Sequence, residues 1–307
     1  VKEYPPPGQL IEVSGHRLHL NCVGTGAPTV VLEHGLNVYG SVSWVLVQPE
    51  IAKSNRVCSY DRAGIVWSER NDEPRSAARY ADDLHSLLAV AEPPPYVMVG
   101  HSFGGPLIQF FAARYPDDVS GLVFVDSVHP DQDKRFEELY GSRSERSWWQ
   151  RSKGRISVAT GVARLFYADN NEPVPEAVIV RAFAPQSTAG MHADRDAWER
   201  VLEDVRAAQD LEEISIIVLT AGKGLYGPSP EQADYMTPEV VALEIAGGRM
   251  WLELQEELAA LSPNSEHRII VESGHAIPLE SPAEIVRAIR DVVSNAPDHG
   301  QRTELQD

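Results

Sequence analysis

Residues 96–111 read YVMVGHSFGGPLIQFF, with a lone serine, Ser102, between glycines where an apolar strand meets an apolar helix. Residues 96–99 predict a buried strand, and residues 104–115 predict a helix that ends before Pro116. A tight turn at Ser102 requires a strained backbone, which neighbours without side chains permit. Such a turn would present the Ser102 hydroxyl at the edge of a sheet, above the positive end of the following helix.

Strand and helix patterns alternate on both sides of this stretch. Apolar runs rich in β-branched residues are typical of buried parallel strands. The runs are PTVVLEHG (28–35), NRVCSYDRAG (55–64), GLVFVD (121–126), SIIVLTAG (215–222) and HRIIVES (267–273). Because helices alternate with these strands through short links, we expect an α/β fold with a parallel sheet and helices on both faces.

The alternation is interrupted after the strand that ends at Asp126. Residues 127–212 contain no convincing strand and predict helices, so we interpret them as a helical cap inserted into a core formed by residues 10–126 and 213–295. The termini, residues 1–9 and 296–307, are predicted to be flexible. The cap carries eight aromatic residues, most of which we expect to form its own small core: Phe136, Tyr140, Trp148, Trp149, Phe166, Tyr167, Phe183 and Trp198.

Composition excludes several classes of partner. The 27 Lys and Arg against 45 Asp and Glu give a net charge of −18, which argues against binding to nucleic acid or an anionic membrane. No apolar run approaches the roughly 20 residues of a membrane span. The Pro-rich start, VKEYPPPGQL, has no methionine and predicts a linker left after a leader was removed or the chain was trimmed, which favours a secreted or periplasmic protein. The two cysteines, Cys22 and Cys58, cannot form a CxxC motif or a zinc site, so they are two free thiols or one disulfide.

The pattern Gly-x-Ser-x-Gly between a strand and a helix, inside an alternating chain, resembles the nucleophile elbow of the α/β-hydrolase fold. The resemblance covers about residues 10–295. It implies a mostly parallel eight-stranded sheet with the helical cap inserted after the sixth strand, and Ser102 as nucleophile. In this fold the antiparallel second strand lies beside the fourth, so the resemblance also implies that Cys22 and Cys58 face each other at a distance suited to a disulfide.

A serine hydroxyl is a poor nucleophile until a base takes its proton. His275 lies in VESGHAIPLE (271–280), a loop between the last strand and the last helix, and this position brings it to the carboxyl edge of the sheet. His275 is therefore the predicted base. His129, near the start of the cap, is the only serious rival.

The third member of the predicted triad is an acid that orients the histidine. The resemblance places it just after the seventh strand, but LTAGKGLYGPS (219–229) contains no carboxylate. The first acids beyond it, Glu231 and Asp234, would have to fold back to reach the site. Asp126 ends the sixth strand at the same edge as Ser102, so we predict Asp126 as the acid and keep the later loop as the alternative.

The resemblance also implies two backbone donors for the oxyanion. One is the amide of Phe103, and the other is the amide of Leu36 in His-Gly-Leu-Asn (34–37), with Asn37 as an alternative. The chain departs from the family's Tyr-Asp-Arg-Gly-x-Gly-x-Ser stretch, because YDRAGIVWS (60–68) has Val66 where a glycine is common. Predicted contacts to the substrate come from Asn37, His101, Trp148 and Trp149.

These residues predict a serine hydrolase that cleaves a small-molecule carboxylic ester with an apolar part and requires no metal or organic cofactor. Thioester, lactone and amide substrates share the same machinery and stay open. Three alternatives use the same residues: an acyltransferase, a hydrolase of carbon–carbon bonds, and a catalytically slow ligand receptor on a hydrolase scaffold.

Overall fold

The computed structural model describes residues 5–141, 176–208, 211, 213–223, 225, 227–228 and 230–295. Within these residues, eight strands form a single sheet. The strands are β1 (Gln9–Val13), β2 (His16–Val23), β3 (Thr29–Glu33), β4 (Val57–Tyr60), β5 (Tyr96–His101), β6 (Val119–Val125), β7 (Ser215–Ala221) and β8 (Ser265–Ile270).

The strand order across the sheet is β1-β2-β4-β3-β5-β6-β7-β8. The pairs β1–β2 and β2–β4 are antiparallel, and every other neighbouring pair is parallel. The predicted mostly parallel eight-stranded sheet is therefore confirmed. Because parallel strands run in one direction, the carboxyl ends of β5, β6, β7 and β8 meet at one edge, which is where open α/β sheets bind ligands.

Helices cover both faces of the sheet. They are α1 (Gln48–Ile51), α2 (Ala77–Ala91), α3 (Gly104–Arg114), α4 (Gln132–Tyr140), α5 (Glu176–Ala182), α6 (Pro185–Asp196), α7 (Trp198–Arg206), α8 (Pro230–Ala233), α9 (Pro238–Ala259), α10 (Ile277–Glu280) and α11 (Pro282–Asn295). Successive strand residues point to opposite faces. In β3, for example, Val31 joins the core beneath α2 and α3, while Val30 and Leu32 join the core beneath α1 and α11.

Between β6 and β7 the described elements are four helices, α4 to α7, which together form the insertion. The backbone of α6 in the insertion touches the backbone of the core directly. A Cβ added to Gly190 of α6 would lie 2.6 Å from the carbonyl oxygen of Gly64 in the loop after β4. One helical turn beyond Gly190, Asp194 is fully buried. The proposed boundaries at residues 127 and 212 stay predictions.

Cys22 of β2 and Cys58 of β4 are direct partners in the antiparallel register. Their sulfur atoms form a disulfide, which confirms the predicted pairing. The bond links the edge hairpin to the parallel part of the sheet. No helix among the described residues is both long enough and apolar enough to cross a bilayer.

Candidate active site

Ser102 lies at the tight turn between β5 and α3, with a backbone φ of 53°. This left-handed conformation is uncommon for a residue with a side chain. The turn is held because the Ser102 amide donates to the carbonyl of Val125 (3.0 Å) and the Ser102 carbonyl accepts from the amide of Gly105 (3.0 Å). It also requires Gly104, since a Cβ there would lie 2.6 Å from the Glu33 carbonyl oxygen. The predicted strained turn is present at the predicted residue.

His275 follows β8 and reaches the carboxyl edge of the sheet, where its Nε2 lies 3.0 Å from the Oγ of Ser102. Its Nδ1 lies 2.6 Å from Oδ2 of Asp126. An ionised carboxylate only accepts hydrogen bonds, so this contact assigns the proton to Nδ1 and leaves the Nε2 lone pair facing the serine. The His275 side chain is 57% exposed, so substrate and water can reach it.

Asp126 is buried at the end of β6 and has a backbone φ of 41°. Its amide donates to the Leu219 carbonyl (2.7 Å). Its Oδ1 accepts from the amide of Ala221 (3.0 Å) and from the indole Nε1 of Trp251 in α9 (3.1 Å). Both carboxylate oxygens therefore have partners, and only Oδ2 faces the histidine.

The rival residues lie elsewhere. His129 accepts a hydrogen bond from the amide of Asp131 and lies 3.5 Å from a carboxylate oxygen of Glu257. Glu231 and Asp234 are exposed, in and just after α8. The structure thus brings Ser102, His275 and Asp126 together. The roles assigned to these three residues stay predictions until activity is measured.

The predicted oxyanion loop, residues 34–37, lies directly against the elbow. A Cβ added to Gly35 would be 3.2 Å from the Cβ of Ser102 and 3.0 Å from Nδ1 of His101. Leu36 follows immediately, and Phe103 occupies the residue before the first turn of α3. Both predicted donor amides therefore belong to segments that flank the serine.

Two of the four predicted substrate contacts, Asn37 and His101, belong to the described residues. Asn37 points its Oδ1 at its own loop, where it accepts from the amides of Tyr39 (2.9 Å) and Gly40 (3.0 Å). His101 bonds through Nε2 to the carbonyl oxygen of His275 (2.8 Å). Trp148 and Trp149 lie outside the described residues. Substrate binding by all four residues stays a prediction.

Two histidines near the serine are held neutral by burial. Burial lowers the pKa of His101 to about 4, with a smaller contribution from nearby His275. Burial, together with the positive charge of Arg62, lowers the pKa of His34 well below its ordinary value. A neutral His101 donates from Nε2 to the carbonyl of His275 and leaves its Nδ1 without a hydrogen-bond partner among the described residues.

A buried cluster of ionic groups lies beneath the oxyanion loop. Arg62 forms ion pairs with Glu33 and with Asp194 of the insertion, the latter at 2.9 Å. Asp194 is also paired with Arg75 and accepts from the Tyr80 hydroxyl (2.6 Å). Burial raises the pKa of Glu33 against the opposing effect of Arg62, and it raises the pKa of Tyr80 to about 12.

Sequence reasoning missed this cluster and missed Trp251. In YDRAGIVWS (60–68), Val66 stands where the family pattern has a glycine, and it adopts a φ of 38°, the conformation a glycine would favour. Arg62, two residues after the buried strand β4, was an available signal, because a charged side chain next to a buried strand requires a partner. Nothing in the pattern of α6 distinguishes Asp194 from the other acids of the insertion.

Among the described residues, one group of three side chains could approach a metal ion together, namely Cys22, Cys58 and Glu92. Its two cysteines are joined in the disulfide, so their sulfurs are not thiolate ligands.

The sheet order, the strained serine turn after β5 and the histidine after β8 define an α/β hydrolase fold. Residues 30–288 match the model of the alpha/beta hydrolase family. This segment includes every strand from β4 to β8 together with the candidate triad, and the chain belongs to that family.

Similar proteins span several hydrolytic activities. The chain is 34% identical over 126 residues to 2-hydroxymuconate semialdehyde hydrolase of Pseudomonas sp. strain CF600, covering 40% of this chain and 44% of that enzyme. The chain spans less than half the length of the curated relatives it matches. Among solved structures, epoxide hydrolase CorEH has a TM-score of 0.65 at 17% identity, covering 94% of this chain and 98% of that one. The enol-lactonase from Burkholderia xenovorans LB400 has a TM-score of 0.63 at 19% identity, covering 93% and 100%.

Proposed function

We propose that this protein is a serine hydrolase that cleaves a carboxylic ester through an acyl-enzyme. In this proposal Ser102 is the nucleophile, His275 is the general base and then the general acid, and Asp126 orients the imidazole. One observation carries the proposal: His275 joins Ser102 Oγ at 3.0 Å on one side and Asp126 Oδ2 at 2.6 Å on the other. Membership of the alpha/beta hydrolase family supports the proposal, because the part of the chain that matches the family, residues 30–288, contains all three residues.

Acylation begins when Oγ of Ser102 attacks the ester carbonyl carbon and its proton passes to Nε2 of His275. The nearby carboxylate of Asp126 stabilises the imidazolium that forms. The negative oxygen of the tetrahedral intermediate receives hydrogen bonds from the amides of Leu36 and Phe103. The intermediate then collapses, the carbon–oxygen bond to the alcohol breaks, and His275 returns the proton to the leaving alcohol.

Deacylation repeats the sequence with water in place of serine. His275 takes a proton from water, the resulting hydroxide attacks the acyl carbon, and the bond to Ser102 breaks as the proton returns to Oγ. The exposure of His275 supports this step because water must reach Nε2. Each step uses only protein groups, substrate and water.

An apolar cluster that begins beside the serine supports a substrate with an apolar part. Phe103 belongs to a buried apolar cluster to which Leu36 and Trp198 add half-buried side chains. The Trp198 ring stacks on Phe103 with 5.2 Å between centroids. Since Trp198 belongs to the insertion, this cluster is built by both parts of the chain, and its half-buried members Leu36 and Trp198 are the side chains that an acyl or alcohol group would contact.

The test is a panel of p-nitrophenyl esters of increasing acyl length, together with labelling by a fluorophosphonate. We expect turnover and stoichiometric labelling of the wild type. Ser102→Ala should abolish labelling and lower turnover by on the order of 10⁶-fold while the protein still folds, because only an oxygen is removed. Ser120→Ala is the matched control. The Ser120 hydroxyl donates to the carbonyl of Tyr96 near the amino ends of β6 and β5, at the opposite edge of the sheet from Ser102. Labelling that persists in Ser102→Ala, or a wild type as inactive as the variant on every ester, would contradict the proposal.

Hydrolysis of a carbon–carbon bond is the second candidate, favoured by the 34% identity to 2-hydroxymuconate semialdehyde hydrolase. The same serine would attack the aldehyde carbon of such a substrate, the carbon–carbon bond would break, and the departing carbon would take up a proton. Incubation with 2-hydroxymuconate semialdehyde separates the two candidates. Consumption of this compound at a higher kcat/KM than any ester on the panel would favour carbon–carbon hydrolysis.

The remaining alternatives differ in the fate of the acyl-enzyme. A slow receptor would release one equivalent of p-nitrophenol and stall, whereas a hydrolase continues to turn over. An acyltransferase would form a new ester when an alcohol is added. We expect continued turnover with the free acid as the main product.

The disulfide between Cys22 and Cys58 also supports the proposal that the protein works outside the cytoplasm. Disulfides persist in oxidising compartments and are rare where thioredoxin and glutathione keep thiols reduced.

A further inference from the structure

Arg62 is a fully buried cation, and its side chain contacts the backbone of the oxyanion loop (residues 34–37). Its Nη1 donates to the carbonyl of His34 (2.7 Å), and its Nη2 donates to the carbonyl of Gly35 (2.9 Å). The guanidinium also lies 5.5 Å from the centre of the Phe103 ring. Arg62 therefore contacts both segments that contain the predicted oxyanion donors.

The bond from Arg62 to Gly35 determines the direction of the Leu36 amide. A peptide unit is planar and trans, so the carbonyl of Gly35 and the N–H of Leu36 point in opposite directions. The Gly35 oxygen accepts from three donors: Nη2 of Arg62 (2.9 Å), the amide of Asn37 (3.0 Å) and Nδ1 of His34 (2.9 Å). The Leu36 N–H consequently points away from Arg62. Because the loop that carries Leu36 lies against Ser102, this N–H belongs to a segment beside the nucleophile.

The insertion supplies one of the two carboxylates that hold this arginine. Asp194 of α6 accepts from Nε of Arg62 at 3.0 Å, while Glu33 of the core pairs with Nη1. All three side chains are at most 2% exposed. Inside the protein such charges interact strongly, and a guanidinium that loses one carboxylate will shift toward its remaining partner.

We infer that Asp194 is a positioning residue of the active site. Through Asp194 and Arg62, the contact between the insertion and the core fixes the direction of the Leu36 amide, the predicted oxyanion donor. When α6 lies against the core, Asp194 keeps Arg62 on the carbonyls of His34 and Gly35. When this carboxylate is withdrawn, Arg62 is drawn toward Glu33, and the Gly35–Leu36 peptide loses the only one of its three bonds that depends on the insertion, so the direction of the Leu36 amide is less restrained. This inference rests on the proposed serine hydrolase function.

Asp194→Asn is the principal test because the substitution keeps the shape of the side chain and removes its charge. Asp204→Asn is the matched control, since Asp204 of α7 also joins the insertion to the core, at the amide of Ala77 (3.0 Å), without contacting Arg62. We expect Asp194→Asn to lower kcat by up to about 100-fold, the effect of losing one oxyanion donor completely, with little change in KM. A trifluoromethyl ketone, which forms a tetrahedral adduct, should lose affinity in the same proportion. Asp204→Asn should leave kcat within a few-fold of the wild type.

A second measurement does not depend on catalysis. Hydrogen–deuterium exchange in a peptide covering residues 34–39 should be faster in Asp194→Asn than in the wild type and unchanged in Asp204→Asn. Arg62→Lys should show the same fast exchange, because an ammonium cannot span two carbonyls as a guanidinium does.

The outcomes separate the inference from the function on which it rests. A wild type that turns over ester through Ser102, combined with an Asp194→Asn variant of unchanged kcat, overturns the inference and leaves the function standing. Equal exchange at residues 34–39 in both aspartate variants also overturns it. A wild type without Ser102-dependent turnover would refute the function, and the exchange experiment would still decide whether Asp194 controls the loop.

Discussion

Asp126 has two carboxylate oxygens with different partners, and this difference predicts the effect of an amide in its place. The amide of Ala221 and the indole N–H of Trp251 both require an acceptor, so the oxygen of an asparagine would stay on their side. Its NH₂ group would then face Nδ1 of His275. Nδ1 would have to accept, and the proton would move to Nε2, facing Ser102, which is the wrong tautomer for a base.

We therefore expect Asp126→Asn to fold and to lose up to about 10⁴-fold in kcat. Steady-state kinetics on the best ester, with circular dichroism to confirm the fold, measures this. Glu231→Gln and Asp234→Asn should retain wild-type kcat. If one of them is impaired while Asp126→Asn is not, the acid belongs to the loop after β7.

His101 gives the folded state a dependence on pH. Its pKa is about 4 in the folded protein and 6.5 in a free side chain, so between these values the unfolded chain binds more protons at this residue. The free energy of unfolding should therefore decrease as the pH falls from 6.5 toward 4, by up to about 3 kcal/mol from this residue.

His101→Gln removes the titrating group and keeps a donor for the carbonyl of His275. Urea denaturation at several pH values between 4.5 and 7 should show a smaller pH dependence for the variant than for the wild type. Parallel curves for the two proteins would mean that His101 titrates normally. Histidines that do not interact with His101 contribute equally to both curves and cancel in the difference.

At this scale the sequence predicted the residues whose positions depend on local patterns. Ser102 was predictable because the glycines and the strand–helix junction are adjacent in sequence. Asp126 and His275 were predictable because the ends of parallel strands share one edge. The contact between Arg62 and Asp194 joins residues 132 positions apart and has no local pattern.

At the scale of the element, the junction of β5 and α3 depends on close backbone contact. A Cβ on Gly104 would lie 2.6 Å from the Glu33 carbonyl oxygen and 3.0 Å from that of His34. The amino end of α3 is thus placed against the end of β3 with no room for a side chain.

Gly104→Val should therefore destabilise the protein by about 2–4 kcal/mol or prevent it from folding, because neither backbone oxygen can move without disturbing β3. Urea denaturation of the purified variant measures the loss. Gly274→Ala is the control, since the added Cβ would meet only the carboxylate at the end of the Glu280 side chain, at 3.1 Å, and no backbone atom. Equal stability of the two variants would show that the turn can adapt.

At the scale of the whole molecule, alternation of strand and helix was sufficient to predict the parallel sheet. Buried parallel strands are continuous apolar runs, and short links limit how they can be connected. The insertion was predictable only as helical, because an amphipathic pattern shows which face of a helix is buried and not what covers it. The predicted contacts by Trp148 and Trp149 fall outside the described residues and stay predictions.

Contact between α6 and the core depends on two residues of α6 that are four positions apart, Gly190 and Asp194. Gly190 lets the helix touch the backbone at Gly64, and Asp194 then reaches Arg62. Recombination between family members at the ends of β6 and β7 would separate α6 from the core loop with which it fits. A transplanted segment would need both a residue without a side chain and, one turn later, a carboxylate. We expect chimeras that supply only the first to assemble and to have a low kcat, because Arg62 would lack the carboxylate of the insertion.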